Sequence, residues 1–265
     1  MIEGHAPVAV ITGGSSGIGY EVVRRLLSRG WTVWELSRHN GAPEGAKHIS
    51  CDISDEESVF TAINIIISAS KQIDVLVNNA GMGISGAVEF TSASESRRQM
   101  SVNLFGADNV TRAVLPHMRK SGEGRIIFVS SAAARFAIPF QAWYSVSKSA
   151  INAYALSLRN EVRPFGIDVC VVQPGDVKTG FTGARRKDHA GNDIYGGRIN
   201  KAVSSMEKDE KNGMPPSAVA NAVLDKIFSR YPSPLCTVGF KYKLFMLAAR
   251  ILPERLINHL IGILY

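Results

Sequence analysis

The sequence contains little cysteine and no long apolar run. Three of its 265 residues are cysteine, at positions 51, 170 and 236, without the paired Cys or His spacing of a zinc site. This excludes a disulfide scaffold and predicts a reduced, cytoplasmic protein with no metal site. The first residues lack a basic segment followed by an apolar one, so no secretory signal is predicted. No apolar run reaches the roughly 18 residues of a membrane-spanning helix.

The positive charges are not concentrated in one segment. The 30 Lys and Arg residues give a net charge of +7, but they are dispersed along the chain. No nucleic-acid-binding motif accompanies them, so we expect no nucleic-acid partner. We interpret the surplus as solubility and attraction for an anionic ligand. With 45% apolar and 20% charged residues, the chain is expected to fold around a sizeable core.

Short apolar strands alternate with helices along the sequence. Strands are predicted at 8–11, 31–36, 74–77, 125–129, 167–172 and 235–238. Helices are predicted at 17–27, after a Ser54–Glu57 capping box, at about 94–120 and 143–162, and from Pro216. Strands that are apolar throughout and joined by helices predict one α/β domain over 1–265, with a Rossmann-type doubly wound parallel sheet and helices on both faces.

Two segments depart from this alternation. Residues 176–212 are polar and hold five glycines, which predicts an irregular substrate lid. Its basic stretch 185–187 is interpreted as solvated, or alternatively as contacting a substrate carboxylate. Residues 241–265 are predicted to form a helical extension, first of all a packed amphipathic one. Alternatively, the extension covers an apolar cleft, packs on a partner subunit, or lies on a membrane surface with Lys241, Lys243 and Arg250 facing headgroups.

A glycine-rich turn joins the first strand to the first helix. It places Gly13, Ser15, Ser16, Gly17, Ile18 and Gly19 where a dinucleotide-binding turn belongs. Glycines let the backbone approach phosphate, and the N-terminus of the helix presents free N–H groups to it. The turn therefore predicts a dinucleotide site, although three glycines also occur in ordinary turns.

The residues after the second strand predict which dinucleotide is bound. An acidic side chain there holds a free ribose 2′-hydroxyl, whereas a basic one accommodates a 2′-phosphate. Ser37 and Arg38 lie at the expected place, so NADP(H) is favoured over NAD(H). Glu35 is the competing residue, and a shift of register would reverse the preference.

Tyr144 and Lys148 lie four residues apart on a predicted helix and so share one face. A free tyrosine titrates near pH 10, and a nearby cation favours its phenolate. The pair by itself is weak evidence, because such spacing is common on helix surfaces.

Together with the other motifs, the pair makes the chain resemble the short-chain dehydrogenase/reductase family over nearly its whole length. The matching residues are Asn78-Asn79-Ala80-Gly81, Asn103, Ser131 and Pro174-Gly175 followed by Thr179. The resemblance implies that Tyr144 is the general acid or base, that Ser131 binds the substrate oxygen, and that Lys148 contacts the nicotinamide ribose and lowers the tyrosine pKa. It further implies that Asn103 holds a water in a proton relay; a local helix contact is the alternative.

The resemblance also implies the remaining cofactor contacts. Asp52 and Ile53 would lie at the adenine, although Asp52 could instead serve a turn. Ile18 would form a wall of the nicotinamide site, and Thr179 would meet the carboxamide or a phosphate. Asn79 would have a partly structural role. The other expected cofactor residues are Ala80, Gly81, Pro174, Gly175 and Val177. Ser130 could replace Ser131, but neighbouring strand residues point to opposite faces.

These features predict an NADP(H)-dependent oxidoreductase that transfers a hydride between nicotinamide and a secondary alcohol or ketone. The tail resembles that of the hydroxysteroid and retinol dehydrogenase branch, which favours a lipophilic substrate such as a steroid or bile acid. Several apolar residues lie near Tyr144 in the sequence or begin the lid: Phe136, Ile138, Phe140, Trp143 and Phe181. They are consistent with a large hydrophobic substrate, or alternatively they form ordinary core or interface contacts. Retinoids, fatty-acyl compounds and other carbonyls are alternative substrates, and a noncatalytic NADP-sensing protein is a further alternative. The resemblance implies a homodimer or homotetramer through the two long helices.

Overall fold

The computed structural model describes residues 6–265 of the chain, and its elements alternate in type over most of this length. The strands are β1 (Val8–Thr12), β2 (Thr32–Ser37), β3 (Lys47–Ser50), β4 (Val75–Asn78), β5 (Ile84–Ser85), β6 (Gly124–Val129), β7 (Ile167–Pro174), β8 (Arg186–Lys187) and β9 (Leu235–Val238). The helices are α1 (Gly17–Leu27), α2 (Glu56–Ser70), α3 (Ala93–Met100), α4 (Gly106–Ser121), α5 (Ala142–Val162), α6 (Phe181–Ala184), α7 (Arg198–Lys211), α8 (Pro216–Phe228), α9 (Phe240–Ile251) and α10 (Glu254–Leu264).

Seven strands form one parallel sheet in the order β3-β2-β1-β4-β6-β7-β9. The chain runs outward from β1 in one direction and then returns to add β4 on the other side. This doubly wound arrangement confirms the predicted fold class. The loops that follow β1 and β4 diverge at the reversal, which opens a crevice beyond the carboxyl ends of the strands.

Alternation along the strands builds a core on each face of the sheet. In β1, Val8 and Val10 pack into the layer with α2, α4 and α5, whereas Ala9 and Ile11 pack into the layer with α1 and α8. Both faces of the sheet are therefore covered, which explains why the strands are apolar at successive positions.

Three local predictions differ from the structure. Asp55, rather than Ser54, caps α2 by accepting a hydrogen bond from the Glu57 N–H, because Ser54 is engaged by Asp52. The short strand β3 is only half-buried and was missed for lack of an apolar pattern. The helix expected over 94–120 begins with a capping box at Ser92 and contains one π-helical turn, Ser101–Phe105.

The segment 176–212 is more regular than its composition suggested. It contains the 14-residue helix α7, whose Ile199, Ala202, Val203 and Met206 are buried. The prediction of a solvated basic stretch holds for Arg186, whose side chain is 61% exposed, but not for Arg185, which is buried. All three basic side chains are paired. Arg185 pairs with Glu210, Arg186 with Glu95 and Lys187 with Glu207.

The C-terminal residues form the two helices α9 and α10. The Arg135 guanidinium binds the Glu254 carboxylate with both of its terminal nitrogens and also donates to the Ala249 carbonyl, which ties the helices to the loop after β6. Over residues 6–265, no helix is both long and apolar enough to cross a bilayer.

Candidate active site

A cavity of about 1200 Å³ lies in the crevice at the carboxyl ends of the strands. It brings together predicted site residues from seven separate parts of the chain. The predicted site residues that line it are Gly13, Ser15, Ser16, Gly17, Ile18, Ser37, Arg38, Asp52, Ile53, Asn79, Ala80, Gly81, Ser131, Tyr144, Lys148, Pro174, Gly175, Val177 and Thr179. Gly19 and Asn103 lie behind this wall. Phe136, Ile138 and Phe181 also line the cavity, whereas Phe140 packs on Tyr195 instead.

The glycine turn is fixed by close packing and by hydrogen bonds to the end of β4. A Cβ on Gly19 would lie 2.3 Å from the Gly13 carbonyl oxygen, so only glycine fits there. The Asn79 side chain donates to the carbonyls of Thr12 and Gly13, both at 3.0 Å. The Thr12 hydroxyl in turn accepts from the Asn79 and Ala80 N–H groups. This contact network joins the ends of β1 and β4 and fixes the turn against the sheet.

The start of α1 faces the cavity with its backbone donors available. Ser16 occupies the N-cap position but makes no side-chain capping hydrogen bond. Free N–H groups and the positive end of a helix dipole are suited to phosphate. The turn and α1 therefore fit the pyrophosphate of a dinucleotide.

Glu35, the competing residue for ribose recognition, lies beneath the turn. Its carboxylate is fully buried and accepts hydrogen bonds from the Gly14 N–H at 2.8 Å and the Ser37 hydroxyl at 3.1 Å, and it contacts His48 Nδ1 at 2.7 Å. Ser37 and the exposed Arg38 line the cavity at the end of β2. Ser37 and Arg38, with His39, therefore line this end of the cavity, whereas Glu35 does not.

Tyr144, Ser131 and Lys148 meet where α5 passes the end of β6. The Ser131 hydroxyl is hydrogen-bonded to the Tyr144 phenol. The Lys148 ammonium donates to the Val129 carbonyl at 2.9 Å and lies 5.9 Å from the centre of the Tyr144 ring. Ser130 points away from this group, because its hydroxyl donates to the Lys148 carbonyl.

Burial dominates the titration of these groups. It raises the pKa of Tyr144 to about 12, although the Ser131 hydrogen bond and the Arg185 charge act to lower it. Burial also lowers the pKa of Lys148 to about 8. The Lys148 ammonium donates to the Val129 carbonyl, and its effect on the pKa of Tyr144 stays a prediction. With its pKa raised, Tyr144 is a protonated hydroxyl at neutral pH, which suits a proton donor.

Asn103 lies in the π-helical turn behind Gly81. Its side chain accepts from the Met82 N–H at 2.8 Å and donates to the Met82 carbonyl and the Ser147 hydroxyl, both at 3.0 Å. Single π-helical turns inside α-helices are frequent at functional sites. Here the turn joins the loop after β4 to the helix that carries Tyr144 and Lys148.

Sequence reasoning missed a group of carboxylates in the same cavity. Asp176 follows β7, and Asp209 and Glu210 come from the end of α7. Glu210 is engaged by Arg185 and Thr182, and Asp176 accepts a hydrogen bond from the Tyr242 hydroxyl. Among residues 6–265, no hydrogen bond or ion pair of the Asp209 carboxylate is found. No pattern in the sequence distinguishes these three acids from the other charged residues of the segment 176–212.

The tail forms the remaining wall of the cavity. Tyr242, Phe245 and Ala249 of α9 line it, as do Ile257 and Ile261 of α10. Gly175 allows the close approach of this wall, since a Cβ there would lie 2.0 Å from the Tyr242 ring. The tail therefore covers one side of the cleft with apolar side chains from both helices.

The residues present fit a nicotinamide dinucleotide. When bound, such a cofactor supplies the hydride, and this chain supplies the groups that position and protonate the substrate. Tyr144 holds a proton, and its partner Ser131 offers a second hydroxyl to a developing alkoxide. The fold and the site thus define a nicotinamide-dependent oxidoreductase.

Comparison with known proteins identifies the same class. The sequence matches the family described as short chain dehydrogenase over residues 7–190, and the chain belongs to this family. The resemblance drawn from its motifs is thereby confirmed at the level of the family.

Two curated relatives match the chain over almost its full length. The 3-ketodihydrosphingosine reductase of Bacteroides thetaiotaomicron is 38% identical, and the alignment covers 97% of each chain. The NADPH-dependent 3-dehydrocapnine reductase of Ornithobacterium rhinotracheale is 30% identical and covers 94% of each. Among solved structures, a short-chain dehydrogenase from Streptomyces avermitilis superposes with a TM-score of 0.85 at 29% identity, covering 94% of this chain and 93% of that one.

Proposed function

We propose that this protein is an NADPH-dependent reductase of long-chain lipids that carry a ketone next to an amine-bearing carbon. The observation that carries the proposal is the composition of the cavity. Apolar side chains of the tail form one wall, and carboxylates lie close enough to Tyr144 for two of them, Glu210 and Asp176, to act on its pKa. A long-chain aminoketone has an apolar chain that can pack on the wall formed by the tail and an ammonium group that can pair with a carboxylate.

The names of the two relatives agree with this substrate class. One is named for the reduction of 3-ketodihydrosphingosine, an amino lipid with a ketone beside the amine-bearing carbon. The other is named as an NADPH-dependent reductase of 3-dehydrocapnine.

NADPH is favoured by the end of β2. Arg38 can pair bidentately with a 2′-phosphate, and Ser37 can donate to it without repulsion. Glu35 is withdrawn into the sheet and occupied by the Gly14 N–H. Tyr144 carries the proton that ketone reduction requires.

Asp209 is the group we propose for the substrate ammonium. It lines the cavity, and its carboxylate has no ion-pair partner in the described part of the chain. An ammonium that meets it would gain a charge-assisted hydrogen bond, worth about 1.5–3 kcal/mol. A steroid or bile acid stays the second candidate, supported by the apolar residues Phe136, Ile138 and Phe181, but a sterol nucleus offers no cation to Asp209.

The test measures NADPH consumption with 3-ketodihydrosphingosine, its N-acetyl derivative, a 3-ketosteroid and retinal. We expect the amine to be preferred, and Asp209→Asn to lower its kcat/KM by roughly 10- to 150-fold. The N-acetyl derivative, which has no charge, should respond little to the substitution. Glu207→Gln is the matched control, because Glu207 lies on the same helix but pairs with Lys187 outside the cavity.

A higher kcat/KM for the steroid than for the amine would overturn the substrate class. An equal loss with the charged and the N-acetylated lipid would overturn the role of Asp209. Equal use of NADH and NADPH, or an unchanged ratio in Arg38→Asp, would overturn the cofactor preference.

A further inference from the structure

The two C-terminal helices carry an unusual share of the apolar surface. Of twenty exposed large hydrophobic side chains in residues 6–265, ten lie between Phe240 and Leu264. Single exposed apolar residues are ordinary on protein surfaces, but a contiguous group of this size marks an interaction surface.

On α9 these side chains form one stripe. Phe240, Leu244, Leu247 and Ile251 are spaced by four, three and four residues, which places them on one face of the helix. The opposite face packs inward, since Ala249 is buried and Tyr242 lines the cavity. The apolar stripe is therefore not needed for packing within the chain.

Basic residues flank the stripe on both sides. At 100° per residue, Lys241 lies on one side of it, and Lys243 and Arg250 lie on the other. The one acidic residue of the two helices is Glu254, which is paired with Arg135. Lys241 lies over the Tyr242 and Phe245 rings, whereas no side-chain hydrogen bond or ion pair of Lys243 or Arg250 is found within residues 6–265. An apolar stripe bordered by cations is the pattern of a helix that lies in an anionic lipid interface.

The exposed surface is continuous with the cavity. Leu252, Ile263 and Leu264 are exposed on the outside and also line the cavity wall. These three side chains therefore connect the exposed apolar surface with the cavity wall.

We propose that α9 and α10 dock this protein on an anionic lipid surface, with α9 lying in the interface and the cavity opening toward the bilayer. This proposal goes beyond the proposed function and does not require it, because docking is measured without substrate. The charge pattern selects a lipid surface over a second copy of the chain, since two copies of this face would bring their basic residues together.

The experiment is flotation of the full-length protein with phosphatidylcholine vesicles, with and without about a third of phosphatidylglycerol. We expect binding to the anionic vesicles that weakens at high salt. Leu247→Glu/Ile251→Glu should lower the partition coefficient at least roughly tenfold, because both residues lie in the stripe. The matched control is Val88→Glu/Ile194→Glu, which adds the same charge outside the tail: Val88 and Ile194 are 57% and 71% exposed, against 55% and 75% for Leu247 and Ile251.

A second variant tests the charges without touching the apolar stripe. Lys243→Glu/Arg250→Glu should lower anionic binding at least roughly tenfold and leave binding to neutral vesicles unchanged. Lys120→Glu/Arg230→Glu is its control on another surface. Absence of wild-type binding, or equal losses in stripe variants and controls, would overturn the proposal. So would a dimer, seen by light scattering, that the stripe variants dissociate while vesicle binding is absent.

Discussion

Gly175→Ala tests whether the tail is packed as the structure shows. Gly175 follows β7 and faces the ring of Tyr242, which is anchored by its hydroxyl to the Asp176 carboxylate. An added Cβ would lie 2.0 Å from a ring carbon, and a rigid aromatic ring cannot bend aside. The substitution should therefore displace α9, although the backbone at Gly175 does not require glycine by its φ angle.

The expected magnitude follows from the cost of overpacking. Inserting a methyl into a filled site costs about 1–3 kcal/mol. For a protein of this size that corresponds to a loss of roughly 2–5 °C in Tm. Because α9 lies near the end of the chain, it can detach without unfolding the sheet. The loss of stability therefore cannot exceed the free energy of the contacts that the tail makes.

A double-mutant cycle with Tyr242→Ala isolates this contact. In the Tyr242→Ala background the methyl has room, so Gly175→Ala should cost less than about 0.5 kcal/mol. Urea unfolding measures the energies, and limited trypsin digestion at Lys243 and Arg250 reports release of the tail. An equal cost of Gly175→Ala in both backgrounds would show that Tyr242 does not lie over Gly175, and would refute this placement of α9.

Three further outcomes are expected at the cofactor and proton sites. Tyr144→Phe keeps the ring contact with Phe181 but removes the proton donor, so kcat should fall about 100- to 10,000-fold with NADPH affinity unchanged in a fluorescence titration. In Gly19→Ala the added methyl collides with the Gly13 carbonyl and the Asn79 side chain, so the glycine turn must shift. An overpacking cost of about 1–3 kcal/mol should raise the Kd for NADPH by roughly 5- to 150-fold. An unchanged Kd would contradict the role of the glycine turn in binding the dinucleotide. The pKa of Lys148 is about 8 in the folded protein and near 10.5 in the unfolded chain, so the unfolded state binds more protons between these values. The unfolding free energy of the protein without cofactor, relative to that of Lys148→Met, should therefore rise with pH from about 8 to 10. The tyrosines whose pKa is raised by burial are present in both proteins, so their opposite effect cancels in this difference. A difference that does not change with pH would contradict the burial of the Lys148 ammonium.

The sheet and the cofactor end of the site were predictable because their signals are local. A β-branched strand, a glycine turn and a helix start follow one another within 20 residues of Val8. Apolar strands joined by helices specify parallel pairing, and the carboxyl ends of parallel strands lie at one edge. Tyr144 and Lys148 likewise share a face through helix periodicity alone.

The errors arose where two local choices were nearly equal or where the pattern was weak. Ser54 and Asp55 are both good capping residues, and the neighbouring Asp52 decided between them by engaging Ser54. The edge strand β3 has one buried neighbour strand and little apolar character.

The sequence by itself determined the class of protein, because the sheet, the glycine cradle and the Tyr144–Lys148 pair follow from short-range pattern and from parallel-strand geometry. Only the tertiary structure decided where α7 and the tail lie. Their amphipathic patterns require a partner surface without specifying which one. Packing placed Asp209 and Glu210 in the cavity and Tyr242 over Gly175, and it left the stripe from Phe240 to Ile251 exposed. The substrate end of the site is therefore the product of long-range contacts.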